Sequence, residues 1–279
     1  MSLPDAHLSI SSKMQLLLAL DQLHDIQNAL AQVGVDWVLV KGVGLALWAW
    51  PDPFARPFSD LDIFVRPKGF GVAIKALLDL GYRPDETEND SFSKHWRLYS
   101  KGRFPVELHY DFTREWTMPR FLLDSFCDEA MYVDAGGWLL PLPSPGRHLA
   151  FVLLHAYNHG FMLNGFWRDD VHWILTREPE ALQQAVNFFP QSWPVKLSIA
   201  VAAAQDARIG ADSLSTSTRL LGQFIARTIQ LNSAVVPHAV LSAFFRVAGS
   251  SHPIETLARM AARFDVHSSP MAQIFTKRR

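Results

Sequence analysis

Two aspartates one residue apart, Asp60 and Asp62, stand in the run SDLDIFV, residues 59–65. In an extended segment side chains alternate faces, so both carboxylates project from one side and Leu61, Ile63 and Val65 from the other. Paired acids repel, and partial burial sharpens the repulsion, so the pattern requires something positive nearby. A later run, VELHYD at 106–111, repeats the alternation: Glu107, His109 and Asp111 share one face, Val106, Leu108 and Tyr110 the other. If the two strands are neighbours, Glu107 joins Asp60 and Asp62, with Asp111 and Glu115 as competitors for that third place. Three carboxylates at one point form a hard oxygen site suited to Mg2+. Two such ions, about 3.5–4 Å apart, would activate an attacking hydroxyl and stabilise a leaving phosphate oxygen.

Ahead of the aspartates lies a glycine turn, Lys41-Gly42-Val43-Gly44. Gly42 and Gly44 let backbone approach a ligand closely, and a helix starting there would aim its amides at anionic phosphate. A G-x-G by itself also makes an ordinary turn, and a lysine ending a strand commonly reaches for water. Arg56 suits phosphate oxygens through its planar fork, or serves a loop ion pair with Asp52 or Asp60. His155 and His159 are four apart on one helix face, with Asp170 available to complete a two-histidine, one-carboxylate set. Ala156 stands where a zinc protease would need glutamate, which favours an inter-helix hydrogen-bond network. His109 faces the same cleft as the acids, and Trp48 and Trp50, near the turn, could stack a base. No G-x-S-x-G occurs, and the Walker spacing is missing around Lys41-Gly42.

The elements that must position these residues read as follows. A helical pattern at 13–33 stops at Gly34; VDWVLVK (35–41) is a strand; a short apolar helix covers about 44–50. PDPFARP is a loop before the D-x-D strand, and 68–80 is a helix ending at Gly81. Strands at 92–99 and 104–112 form a hairpin about Lys101-Gly102. The proline-rich PLPSPGRH (141–148) reads as a linker. Beyond it helical patterns dominate, at about 146–161, 168–177, 191–207, 216–231, 236–247 and 253–264. The expected fold class is α+β, with a mixed sheet and flanking helices over 1–140 and a helical domain over 141–279.

Composition limits the partners. Acids number 27 and bases 26 in 279 residues, so no basic excess marks a long nucleic acid as the target. The basic end, Lys277-Arg278-Arg279, reads as a solvated tail. One cysteine, Cys127, excludes an internal disulfide and fits a cytoplasmic setting. The start lacks a signal-peptide pattern, and no apolar run is long enough to span a membrane.

Taken together, Lys41-Gly42, then Arg56 and Ser59-Asp60-Leu61-Asp62 before an apolar strand, then Val106-Glu107-Leu108-His109, resemble the polymerase-beta-like nucleotidyltransferase superfamily. More narrowly they resemble its poorly characterised bacterial branch, and His155-Ala156-Tyr157-Asn158-His159 with Asp170 extends the likeness into the helical half. The resemblance covers roughly 15–180. It implies Asp60, Asp62 and Glu107 as catalytic metal ligands for Mg2+, with Mn2+ as an alternative. Glu107 would orient or deprotonate the attacking hydroxyl. Lys41, Gly42, Val43, Gly44, Arg56 and Ser59 would hold the nucleoside triphosphate, and His109, His155, His159 and Asp170 would face substrate. The implied reaction moves a nucleoside monophosphate to a hydroxyl of a small-molecule, peptide or protein acceptor and releases pyrophosphate. Val43, where the superfamily has a small residue, and the long Gly42–Asp60 loop keep two alternatives: a nucleotide- or partner-binding module without turnover, and γ-phosphoryl transfer with the same metals.

Overall fold

The computed structural model describes residues 3–85, 95–112, 120–161, 166–189, 193–210, 212 and 214–232. Glu115, the beginning of the hairpin strand expected at 92–99, the helices expected at 236–247 and 253–264 and the basic tail lie outside them.

Helix α1 (Leu3–Gln32) leads into strand β1 (Trp37–Val40). It stops because Gly34 adopts φ +66°, its N–H donating to Ala31 O at 3.1 Å while the Val35 N–H donates to Leu30 O at 3.0 Å. This pair of bonds caps the last turn, with buried Val35 and Leu30 closing it. Helix α2 (Gly42–Trp48) follows β1 at once, and β2 (Leu61–Val65) returns antiparallel to β1, Val40 opposite Asp62. A 3-10 turn and α3 (Phe70–Asp79) come next, then the short β3 (Arg83–Pro84). Strands β4 (His95–Tyr99) and β5 (Val106–His109) complete a five-stranded sheet of order β1-β2-β5-β4-β3. Among the described residues, the β2–β5 pair is the parallel one and the sheet's other pairs are antiparallel.

The sequence pattern missed β3, the short α4 (Arg120–Asp124), the hairpin of β6 (Met131–Asp134) and β7 (Leu139–Leu142), and α7 (Ala181–Phe188). Strand β6 exposes alternate residues to solvent and tightens at Gly136-Gly137, whose N–H groups donate to Asp134 Oδ1. Residues 141–148 end β7 and open α5 (Pro145–Asn158), with Pro145 in the first turn, where its missing N–H costs nothing. Helices α6 (Phe166–Arg177), α8 (Trp193–Gln205) and α9 (Thr216–Asn232) follow.

One hydrophobic core runs from Leu16 on α1 to Ile225 on α9. Its centre is aromatic: Phe64 on β2 meets Phe126 at 4.7 Å between ring centroids, Phe126 meets Phe112 at 4.9 Å, and Phe112 meets Phe151 on α5 at 5.3 Å. Asn158 adds a polar tie, its Nδ2 donating to Phe112 O at 2.8 Å. The segment that follows β5 is thereby bonded directly to α5.

Helix α5 packs on α7 so closely that a Cβ on Gly146 would lie 2.3 Å from Gln184 Cβ and 2.9 Å from the backbone N of Ala185. Gly146→Ala is therefore expected to lower unfolding free energy by roughly 3 kcal/mol through overpacking. Urea denaturation checks it; a midpoint like that of the wild type would show that the two helices separate freely.

Candidate active site

The parallel pairing of β2 with β5 puts Asp62 opposite Glu107 and Phe64 opposite His109. Asp62, Glu107 and His109 each offer an atom within 4.8 Å of the others. His109 Nε2 lies 3.0 Å from Asp62 Oδ1 and 3.6 Å from Glu107 Oε2. Lys41 follows β1, next to Asp62, and its Nζ reaches Asp62 Oδ1 at 2.7 Å. This is the positive partner that the paired acids required. On the other flank Arg97 of β4 stands opposite Glu107, Nε to Oε1 4.0 Å.

Charge and burial set the proton affinities. Burial pushes the Asp62 carboxyl up, but the Lys41 ammonium and the His109 hydrogen bond and charge outweigh it and hold the group below the usual carboxylate range. For Glu107 the balance reverses: burial first, then the adjacent Asp62 carboxylate, push it up to about 8 against the pull of Lys41. Asp60 is half-buried and raised for the same two reasons. Burial lowers the Lys41 ammonium, yet Asp62 and Glu107 more than compensate and leave it raised.

Asp60, Asp62, Ser59, Lys41 and Gly42 line a cavity of about 220 Å³, walled on the helical side by Val152, His155, Phe166, Trp167 and Asp170. Asp60 thus shares the cavity wall with Asp62 and stands outside the Asp62–Glu107–His109 group. Gly42, at φ +30°, passes close to Asp60 O and Phe58. Gly44 faces elsewhere: a Cβ there would meet Leu142 Cδ2 at 2.9 Å and Leu39 O at 3.3 Å, so packing of α2 on β1 and β7 accounts for it. Val43 has its side chain in the core.

Arg56 and Asp170, 114 residues apart, form a two-pronged buried pair: Nε to Oδ1 is 2.8 Å and Nη2 to Oδ2 is 2.7 Å. Trp50 Nε1 donates to the same Oδ1 at 2.8 Å, and Arg56 Nη1 to Pro57 O. Asp170 is therefore joined to the loop before β2. The His155 and His159 rings lie 4.6 Å apart between centroids, tilted by 47°, and His155 alone of the two lines the cavity.

His148 is a further residue of the site, one that no pattern in the chain marks. It is fully buried on α5, stacked on Trp48 at 5.9 Å, and its Nε2 accepts the Lys41 N–H at 3.0 Å. That bond secures Lys41 in a left-handed backbone, φ 51°, which a lysine seldom adopts. Burial, followed by the Arg56 charge, lowers the His148 imidazole to about 3. The unfolded chain binds a proton there below its ordinary 6.5 and the folded chain does not, so stability falls as pH drops from 6.5 towards 3. At pH 5 this amounts to about 2 kcal/mol. His148→Gln is expected to flatten that slope; parallel denaturation curves for the two proteins between pH 7 and 5 would remove the assignment.

None of the curated proteins matches the chain. Among solved structures, the antibiotic-resistance factor ANT(2'')-Ia in solution is similar with a TM-score of 0.46 at 13% identity, covering 63% of this chain and 92% of that one. ANT(2'')-Ia in complex with adenylyl-2''-tobramycin gives 0.46 at 14% identity, covering 61% and 95%. The lincosamide antibiotic adenylyltransferase LnuA, lincomycin-bound, gives 0.41 at 15% identity, covering 56% and 96%. The family described as uncharacterised nucleotidyltransferase matches residues 8–200, from α1 into α8. That stretch holds β1, β2 and β5 with their acids as well as the α5–α6 wall of the cavity, and the chain belongs to this nucleotidyltransferase family.

Proposed function

We propose that the protein transfers a nucleoside monophosphate from a nucleoside triphosphate to a hydroxyl of a small-molecule, peptide or protein acceptor. The α/β part, to about residue 140, would bind the nucleotide, and the helical part would select the acceptor. The observation that carries the reading is the Asp62–Glu107–His109 group, whose Asp62 lines a cavity together with Asp60, Gly42 and Ser59. The Asp62 and Glu107 carboxylates suit Mg2+ or Mn2+. Asp62 and Glu107, with Asp60 or His109, would hold the metal, which supplies charge neutralisation at the phosphates when bound. Glu107, with a proton affinity near neutrality, suits the removal of the acceptor hydroxyl's proton. The acceptor oxygen forms a bond to the α-phosphorus as the bridging P–O bond breaks, and pyrophosphate departs. Amides at Gly42 and the Ser59 hydroxyl, which line the cavity, would bind phosphate oxygens.

A second reading keeps nucleotide binding and drops turnover. It is favoured by the engagement of both expected phosphate cations, Lys41 with Asp62 and Arg56 with Asp170. Incubating the protein with labelled triphosphates, Mg2+ or Mn2+ and a panel of hydroxyl acceptors separates the readings. Metal-dependent pyrophosphate release supports transfer. Tight triphosphate binding with no release supports the second reading, and a nucleoside diphosphate product would point to γ-phosphoryl transfer.

A further inference from the structure

The Lys41 ammonium is in direct contact with one of the proposed metal ligands. It sits 2.7 Å from Asp62 Oδ1, the same oxygen that His109 Nε2 approaches at 3.0 Å. Asp62 is 3% exposed and Lys41 16%, so water screens the pair little. A divalent cation held by Asp62 and Glu107 would stand a few ångströms from this ammonium in a poorly screened corner, where like charges repel strongly. The Lys41 backbone cannot retreat. Its N–H is fixed to His148 Nε2 at 3.0 Å, its carbonyl accepts the Leu45 N–H at 3.0 Å, and His148 is itself fully buried under Trp48. Only the four-carbon side chain is free to swing. On one side it meets the Phe151 ring, 5.9 Å from Nζ; on the other it meets the cavity lined by Gly42, Ser59 and Asp60.

We propose that Lys41 is a resident counter-ion that a divalent metal must displace from Asp62, and that the displaced ammonium turns into the cavity to meet the phosphates of the nucleotide. Lys41 then opposes metal binding when nucleotide is absent and assists when both are present, so metal and triphosphate bind together better than either does alone. The buried Asp62 carboxylate is also kept neutralised between turnovers. The idea rests on the metal reading of Asp62 and Glu107 given above, and it adds a role for Lys41 in the metal-free, nucleotide-free protein.

The test is Mn2+ binding without nucleotide, followed by the electron paramagnetic resonance of free Mn2+, on the full chain. Lys41→Met is expected to bind Mn2+ at least tenfold more tightly than the wild type, whereas Lys41→Arg, which keeps the charge, stays near it. If Lys41→Met does not fold, Lys41→Gln, which keeps a hydrogen-bond donor for Asp62, takes its place with the same expectation. Equal or weaker Mn2+ binding by the neutral variants overturns the counter-ion role and leaves the metal reading standing. Absence of Mn2+ binding from every variant and from the wild type overturns both.

Discussion

Asp62→Asn is expected to lower nucleotide-dependent pyrophosphate release about a thousandfold, roughly 4 kcal/mol of transition-state stabilisation, with the fold retained. Asp62 is where the local charges converge: it faces Glu107 across β2–β5 and touches both Lys41 and His109. An amide in its place offers a metal only a neutral oxygen. Removing the charge also strands the Lys41 ammonium, which would ordinarily threaten the fold. Glu107 limits that damage. Its carboxyl is pushed up partly by the Asp62 carboxylate, so without that neighbour it ionises more readily and can take over part of the pairing with Lys41. Steady-state pyrophosphate assays alongside thermal melting check both halves. Activity within tenfold of the wild type would remove Asp62 from the chemistry.

Asp170→Ala carries the largest expected cost in stability, roughly 3–5 kcal/mol. Its partner Arg56 is 9% exposed and would keep a buried positive charge whose two strongest hydrogen bonds have gone. Trp50 would lose the acceptor for its indole N–H as well. For a chain of this size the loss corresponds to a drop of about 10 °C in melting temperature. A buried ion pair can often be exchanged for apolar groups at little cost, so Arg56→Met with Asp170→Leu should recover much of what the single change loses. Additive losses in that double-mutant cycle would mean that the pair contributes nothing as a pair.

The route from sequence to site was short where local rules decide. Gly34 and Gly81 mark helix ends because each takes a positive φ that lets the chain turn and close its last carbonyls. Period-two alternation put Asp62 and Glu107 on facing positions as soon as β2 and β5 became neighbours. Partnerships across the chain were hidden. Arg56 had Asp52 and Asp60 close in sequence, yet its carboxylate is Asp170, brought up by the packing of α6 against the loop. His148 sat in a proline-rich run whose turn signals describe the end of β7 and the first turn of α5, with nothing to mark a buried imidazole. The hairpin β6–β7 lacked a dense apolar pattern because β6 leaves half its residues in solvent. Gly44 looked like a ligand-facing glycine, and only the approach of Leu142, nearly a hundred residues away, supplies its packing reason.

The Phe64–Phe126–Phe112–Phe151 layer sets strand β2, which carries Asp62, and helix α5, which carries His155, on the same rings. Transplanting the helices of a relative onto this sheet would therefore disturb the alignment of β2 and β5 along with the choice of acceptor. New specificity in such a scaffold is more accessible through rim positions such as His155 and Phe166, which line the cavity and lie outside that aromatic foundation.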